Sequence, residues 1–363
     1  MVPGGPDFVD LLRGIWDAGD AVLPVDPRLP GPARQQLLDA LAPAAVVTPD
    51  GHRHPRPGGR PVEEGDALVV ATSGSTGPPK GVVHTHASVA ASAWASSARL
   101  EVDPTRDRWL GCLPLAHIGG LSVVTRALVT GTPLELHPRF DAAAVDDAAR
   151  RGVTLVSVVP TALARIDPTG FRKLVVGGAA PPAELPPNAV TSYGSTETGS
   201  ACVYDGVALD GVELDVDAAG QIRVRGDVLL RAYRDGSDPR DDQGWYATGD
   251  HGHLEPDGHL RVDGRIDELI ITGGENVWPT PVERVLATAP GVAEVAVVGR
   301  ADPEWGQAVV AVVVPRDPQS PPTLEDLRSV AKVELPAYAA PRRIELVDAL
   351  PRTLLGKVRR HRI

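Results

Sequence analysis

The sequence predicts an α/β protein with a large N-terminal domain over 1–263 and a smaller α+β C-terminal domain over 264–363. The large domain is built of α/β sheets and carries a small antiparallel β subdomain. Three observations predict this. Between residues 67 and 176, strand-length Val/Leu runs alternate with helical segments, the pattern of a parallel sheet covered on both faces. After Tyr204 the texture changes to alternating strands parted by Asp-Gly and Gly turns. From Gly264 a strand–loop–helix–strand–strand–helix–strand series fills a unit of about a hundred residues, a normal domain size.

Taken in order, 7–47 reads as helix, short strand (22–25), turn and helix, with Asp26-Pro27-Arg28-Leu29-Pro30 ending the strand. The stretch 49–64 is rich in Pro, Gly, Arg and His and reads as an exposed loop. A short apolar strand follows at 67–71 and a helix at 88–99. Buried strands at 109–113 and 132–136 flank another helix. Then come a helix at 141–151 and strands at 155–159 and 173–176. Segments 212–216, 221–225 and 259–262 alternate as antiparallel strands. The C-terminal domain holds a helix at 281–288, strands at 292–298 and 308–314, and a helix at 323–330. No internal repeat is present.

Bulk composition narrows the function. Of 363 residues, 42% are hydrophobic and 23% charged, so a sizeable core is available and wholesale disorder is excluded. A formal charge of -11 argues against nucleic acid as a partner, because phosphate neutralisation needs a basic face. Two cysteines far apart, Cys112 and Cys202, give no disulfide framework and fit a reducing cytoplasm. The apolar runs are strand-length, so neither a signal peptide nor a membrane span is expected. The His-x-His pairs His84/His86 and His251/His253 read as surface or loop residues, not as a metal site.

The most informative stretch is Thr72-Ser73-Gly74-Ser75-Thr76-Gly77-Pro78-Pro79-Lys80-Gly81. Its glycines let backbone amides turn toward an anion, its hydroxyls add donors and Lys80 adds positive charge, which together suit a polyphosphate. It is not a Walker A loop, a dinucleotide fingerprint or a nucleophile elbow. A flexible linker would not need the ordered Pro-Pro-Lys-Gly. Further stretches follow in order: Leu113-Pro114-Leu115-Ala116-His117-Ile118-Gly119-Gly120, Gly177-Gly178-Ala179-Ala180-Pro181, Tyr193-Gly194-Ser195-Thr196-Glu197-Thr198-Gly199, Thr248-Gly249-Asp250, Gly264-Arg265-Ile266-Asp267-Glu268, Gly273-Gly274-Glu275-Asn276 and Pro351-Arg352-Thr353-Leu354-Leu355-Gly356-Lys357.

In this order the stretches resemble the signature segments of the adenylate-forming superfamily: acyl- and aryl-CoA synthetases, peptide-synthetase adenylation domains and firefly-type luciferases. The resemblance implies an AMP-forming acyl-CoA synthetase, an acid–thiol ligase with ATP and coenzyme A as cosubstrates and Mg²⁺ as cofactor. It implies a phosphate loop at Thr72, Ser73, Gly74, Ser75, Thr76, Gly77 and Lys80. Gly178, Ala179 and Ala180 would lie against adenine, with Tyr193 stacked on it beside Gly194. Thr196 would touch the α-phosphate and Glu197 would hold Mg²⁺. Asp250 would take the ribose hydroxyls, and Arg265 would join it. His117, Gly194 and Ser195 would border the acyl pocket, with His117 positioning the substrate. Gly273, Gly274 and Glu275 would approach the thiol tunnel. Lys357 is the catalytic lysine, and Asp267 the hinge about which a mobile C-terminal domain turns between half-reactions. The basic run 352–362 would then serve anionic charge near the phosphates.

The chain is short ahead of Thr72, keeping Ala18-Gly19 through Asp26-Pro27-Arg28 of the family's N-terminal part. In this, and in the stretch from Cys202 to Val212, it is similar to the short actinobacterial o-succinylbenzoate–CoA ligases of menaquinone biosynthesis. That resemblance implies o-succinylbenzoate as the acid. A CoA ligase for another aryl or medium-chain acid, or an adenylation protein loading a carrier thiol, would share the same motifs. The second carboxylate of that acid must be paired or hydrogen-bonded once desolvated, and Ser195, near the acyl pocket, could donate such a bond. That carboxylate's partner is not apparent in the sequence, nor is the oligomeric state, where a homodimer is admitted.

Overall fold

The computed structural model describes residues 4–48, 50–72, 79–182, 184–352 and 358–363. The chain divides into two compact units, one of Met1–Pro181, Leu185–Asp215 and Arg223–Ala247, the other of Pro182–Glu184, Val216–Ile222 and Thr248–Ile363. The fold is the mixed α/β arrangement that the alternation of Val/Leu runs and helices predicts.

The first unit is organised by a seven-stranded sheet in the order Val207–Ala208, Ser200–Tyr204, Ala189–Ser195, Lys173–Gly177, Leu155–Val158, Trp109–Gly111, Leu134–Leu136. The last five run parallel, and Ser200–Tyr204 turns back antiparallel on Ala189–Ser195. Trp109, Leu110, Leu155, Val156 and Leu174 are wholly buried, as both faces of such a sheet must be. The helices His86–Arg99 and Ile118–Thr130 pack on one another and on this sheet. A capping box at Thr85 and Ser88 starts the first of them.

A second, antiparallel sheet joins Asp66–Thr72, Lys80–Thr85 and Ala232–Tyr233. Arg231 is locked to the buried carboxylate of Asp66 at 2.8 and 3.0 Å. Arg231 N donates to Val83 O and Arg234 N to Gly81 O, so segment 231–234 runs along the strand that leaves the glycine loop.

Two early expectations change. The strand expected at 22–25 shrinks to a parallel bridge between Val22 and Leu68, since Pro24 has no N–H to continue a ladder. The loop expected at 49–64 holds a three-residue strand, Arg53–Pro55, paired with Ala45–Val47.

In the second unit, residues 250–254 of strand Tyr246–Leu254 pair antiparallel with Leu260–Arg265. Strands Glu275–Val277, Ile270–Thr272, Gly306–Pro315 and Val292–Asp302 form a sheet, with Arg343–Leu346 parallel to Gly306–Pro315. Helices Pro279–Leu286 and Leu324–Glu334 cover one face, burying Val282, Leu286, Leu327 and Ala331 against Val297, Val309 and Val313. The central strand reads as continuous Val and Ala because its other face is also covered, by Leu350 and Val358 among others. No helix among the described residues is long and apolar enough to cross a membrane.

Candidate active site

Thr72 and Lys80 stand opposite one another in register at the base of the glycine-hydroxyl turn. Ser73, Gly74, Ser75, Thr76 and Gly77 lie outside the described residues, as does Lys357. Lys80 is exposed, its Nζ lying 4.8 Å from the centroid of the Tyr233 ring. The Tyr233 hydroxyl in turn donates to Glu197 Oε1 at 3.1 Å. Burial, and then the neighbouring Glu197 carboxylate, push the Tyr233 phenol above its ordinary range, so it stays a donor. Lys80 and Glu197 are thus brought to one place, 117 positions apart in sequence, by a tyrosine that no motif singled out.

His84 makes a second tie. It sits mid-strand and fully buried, so the expectation of a surface histidine is corrected. Its Nε2 donates to the Thr196 carbonyl at 2.7 Å, and Nδ1 faces Ser88 Oγ at 3.3 Å. Burial lowers the pKa of the imidazole, which favours its neutral form. His86, two residues on, stacks edge-on with Trp16 at 5.1 Å.

The 193–199 segment is shaped by its small residues. Thr198, almost wholly buried, accepts from Ser195 N at 2.8 Å and lies 2.6 Å from Ser200 O, closing the turn that carries Thr196 and Glu197. A Cβ on Gly194 would fall 2.1 Å from Ser200 O, so only glycine fits there. Gly177 is paired with Ser192, which sets the turn Gly178-Ala179-Ala180 at the carboxyl end of its strand beside the strand carrying Tyr193. Gly178 has φ +81, a conformation that glycine adopts without strain.

His117 is the N-cap residue of helix Ile118–Thr130. Gly120 must be glycine, because a Cβ would meet Pro114 O at 2.5 Å. The Arg28 guanidinium, and more weakly His117, hold the Asp26 carboxyl below its usual range. Ser195 Oγ is buried with no hydrogen-bond partner among the described residues.

On the same helix stands Arg126, which the sequence reading passed over. It is only 3% exposed. Its Nε donates to Ser96 Oγ at 2.8 Å and its Nη2 to Tyr204 Oη at 3.3 Å, while the guanidinium lies 4.9 Å from the Trp109 ring centroid. Its Nη1 has no partner, and no carboxylate pairs with it among the described residues. Arg126 lines a small cavity with His84, Ile118, Ser122, Thr125 and Gly199. A buried guanidinium without a counter-ion is costly, and the contacts with Ser96, Tyr204 and Trp109 offset that cost in part.

In the second unit Asp250 and Arg265 are cross-strand partners, 3.3 Å apart at Oδ1 and Nη1. Arg265 also donates to Thr248 O at 3.1 Å and lies 3.4 Å from Asp267 Oδ1. Gly273 (φ +61) and Gly274 (φ +84) make the two-residue turn between Ile270–Thr272 and Glu275–Val277, leaving Glu275 exposed. His251 is held by Asp263 at 2.9 Å and stacks on Trp278, so it too is a structural partner and not a loose surface residue. Cys112 and Cys202 are free thiols whose burial pushes both pKa values up to about 12, which favours the protonated, unreactive thiol.

The pattern of AMP-binding enzymes matches residues 51–228, and that of the AMP-binding enzyme C-terminal domain matches 281–357. A probable 2-succinylbenzoate–CoA ligase of Mycobacterium tuberculosis is 41% identical over 357 residues, covering 91% of this chain and 92% of that protein. The chain belongs to the AMP-binding enzyme family. Other AMP-binding enzymes match over most of its length as well. The indoleacetate–CoA ligase of Aromatoleum aromaticum is 34% identical, covering 98% of this chain and 85% of that protein. Among solved structures, o-succinylbenzoate CoA synthetase of Bacillus subtilis with the acyl-adenylate intermediate OSB-AMP superposes with a TM-score of 0.74 at 32% identity, covering 84% of this chain and 71% of that one. Membership makes the chain an adenylate-forming enzyme, and these relatives are named as CoA ligases or synthetases.

Proposed function

We propose that the chain is a 2-succinylbenzoate–CoA ligase, making the acyl-CoA that menaquinone synthesis consumes. In the first half-reaction a carboxylate oxygen of the acid attacks the α-phosphorus of ATP, the bond to the β-phosphate bridging oxygen breaks, and pyrophosphate leaves. In the second, the CoA sulfur attacks the acyl carbon, the bond to the AMP oxygen breaks, and AMP leaves.

The first step brings anions together, so the protein must supply donors and positive charge where charge builds. Lys80 and the Thr72–Gly77 turn serve the β- and γ-phosphates, Thr196 the α-phosphate, and Lys357 the oxygens between acid and phosphorus. Tyr193 and the 178–180 turn hold adenine, and Asp250 with Arg265 holds the ribose. Gly273, Gly274 and Glu275 serve the thiol in the second step, with the change of arrangement taken up at Asp267.

Mg²⁺ fits the donor set. Among the described residues there is no cluster of three or more His, Cys, Asp or Glu side chains. Mg²⁺ bound with a nucleotide typically takes one or two carboxylates plus phosphate oxygens and water. Glu197, steadied at one oxygen by Tyr233, is such a carboxylate. When bound, Mg²⁺ neutralises phosphate charge. Tyr233→Phe is therefore expected to raise the Mg²⁺ concentration for half-maximal adenylation by roughly 10–100-fold, the usual effect of losing an outer hydrogen bond to a ligand. An unchanged Mg²⁺ titration would remove Tyr233 from this role.

The observation that carries the choice of acid is Arg126. A dicarboxylic aryl acid brings a second carboxylate that needs a charged or hydrogen-bonding partner once desolvated, and Arg126 has an unused N–H on the helix that His117 begins. The match to an indoleacetate–CoA ligase over 98% of the chain favours another aryl acid as the second reading. The test is AMP release with 2-succinylbenzoate, benzoate, indoleacetate and medium-chain acids, each with and without CoA. AMP release and a thioester with 2-succinylbenzoate in clear preference support the proposal. Preference for a monocarboxylic acid would replace it, and exchange of pyrophosphate with no thioester would point to a carrier-protein thiol.

A further inference from the structure

Five basic residues lie between Arg352 and Arg362, and the sequence alone presents them as one cationic run near Lys357. The structure separates them. Arg352 is paired with Glu294 at 2.8 Å. Arg360 is a fork between two carboxylates on two other elements. Its Nε and Nη2 donate to the two oxygens of Glu283 at 3.1 and 2.6 Å, and its Nη1 donates to Glu268 Oε2 at 2.6 Å. The three side chains are 20%, 17% and 26% exposed, so this triad is largely withdrawn from water.

Each partner is itself fixed. Glu283 stands on helix Pro279–Leu286, and its Oε1 also accepts from Val297 N at 2.7 Å. Glu268 ends the short turn Ile266–Glu268 and adjoins Asp267, the expected hinge. Asp267 faces Arg265, which faces Asp250. Two polar groups thus meet at the turn Ile266–Glu268 within the second unit: Asp250–Arg265–Asp267 on one side, and Glu268–Arg360–Glu283, ending three positions after residue 357, on the other. Both ends of the segment carrying the lysine are held as well. Arg352 and Val358 form an antiparallel bridge, Arg359 N donates to Pro351 O at 2.8 Å, and Arg300 Nη1 donates to Ile363 O at 3.0 Å.

We propose that Arg360 is a positioning residue for adenylation: it fastens the tail that follows Lys357 to the start of its own domain, at Glu268 just after the hinge turn and at Glu283 on helix Pro279–Leu286. The inference rests on the reading of Lys357 given above. A fork between two carboxylates is expensive to desolvate, and an apolar contact would hold the tail more cheaply. What the fork adds is direction, because a bidentate guanidinium fixes the orientation of its partner as well as its distance.

The test measures both half-reactions in the full-length enzyme, using pyrophosphate exchange with 2-succinylbenzoate and thioester formation from the prepared 2-succinylbenzoyl adenylate with CoA. Arg360→Gln is expected to lower adenylation roughly 10²-fold, the scale for a catalytic group displaced by about an ångström, with thioester formation close to wild type. Arg360→Lys should recover part of the loss, because one charge can satisfy one carboxylate but not both. Glu268→Gln, which leaves the Glu283 fork in place, should show the same split at smaller amplitude and serves if Arg360→Gln does not fold. Adding Glu268→Gln to Arg360→Gln should then cost nothing more. Equal losses in both half-reactions, tracking a fall in Tm, would mark Arg360 as merely structural and overturn the proposal, as would unchanged adenylation. Lys357→Ala run alongside separates the two readings. If adenylation survives it, the lysine assignment fails and this inference with it. If adenylation is lost there but kept in Arg360→Gln and Glu268→Gln, this inference alone fails.

Discussion

Lys357→Ala is expected to cut adenylation by roughly 10²-fold or more while largely sparing thioester formation from a supplied acyl-adenylate. The asymmetry follows from where charge develops. Attack of a carboxylate on the α-phosphorus of a phosphoanhydride drives two anions together, and a single ammonium a few ångströms from the transferring oxygens offsets several kcal/mol of that repulsion in a water-poor site. Once the mixed anhydride exists, the thiol attacks carbon, and the new charge develops on the carbonyl oxygen and the departing AMP oxygen and no longer between two anions converging at phosphorus, so the same ammonium has less to stabilise. Lys357 lies outside the described residues, and its assignment rests on the Leu355-Gly356-Lys357 stretch and on the C-terminal family pattern, which ends at residue 357. Pyrophosphate exchange and single-turnover thioester formation, measured on the same preparation, check the result. A comparable loss in both would show that the lysine serves the whole fold or CoA binding and not adenylation. Lys357→Arg should recover little, because a planar fork does not reproduce a compact point charge.

What the sequence made legible here was whatever is encoded within a short window. The parallel strands Leu155–Val158 and Lys173–Gly177 are continuous apolar runs, and the turns at Gly178, Gly194 and Gly273 need a residue without Cβ, so each announces itself locally. What escaped is non-local. His84 meets Thr196 across 112 positions, Tyr233 meets Glu197 across 36, and Arg126 meets Tyr204 across 78. Nothing in the neighbourhood of Tyr233 marks it. His84 and Arg126 did carry a faint signal, His84 following the apolar pair Val82-Val83 in strand Lys80–Thr85 and Arg126 being the one charged residue of helix Ile118–Thr130. Such a residue is either satisfied or functional, and only the packing tells which. The basic tail shows the opposite error. A charge run looks uniform in sequence, yet Arg352 and Arg360 are consumed by Glu294, Glu283 and Glu268 inside the second unit. The compact units group Val216–Ile222 and Thr248–Asp263 with the C-terminal residues, a grouping that reflects packing between segments distant in sequence.

Arg126→Gln is expected to lower kcat/KM for 2-succinylbenzoate by roughly 10²-fold, the scale for removing a charged hydrogen-bond partner from a buried anion. The decisive comparison uses 3-benzoylpropanoate, the same acid without the ring carboxylate. In the wild type it should be a poor substrate, because binding it leaves the guanidinium buried and uncompensated. In Arg126→Gln it should be affected little, so that the two acids converge. The free enzyme adds an independent readout. With no carboxylate beside it among the described residues, Arg126 carries a desolvation cost that only Trp109, Ser96 and Tyr204 offset. Replacing it with a neutral amide should leave the Tm of the free enzyme near or above wild type, while the upward Tm shift produced by 2-succinylbenzoate shrinks. A variant that loses the same factor against both acids, with a lowered Tm when free, would place Arg126 in the core as a packing residue and leave the ring carboxylate to another cation.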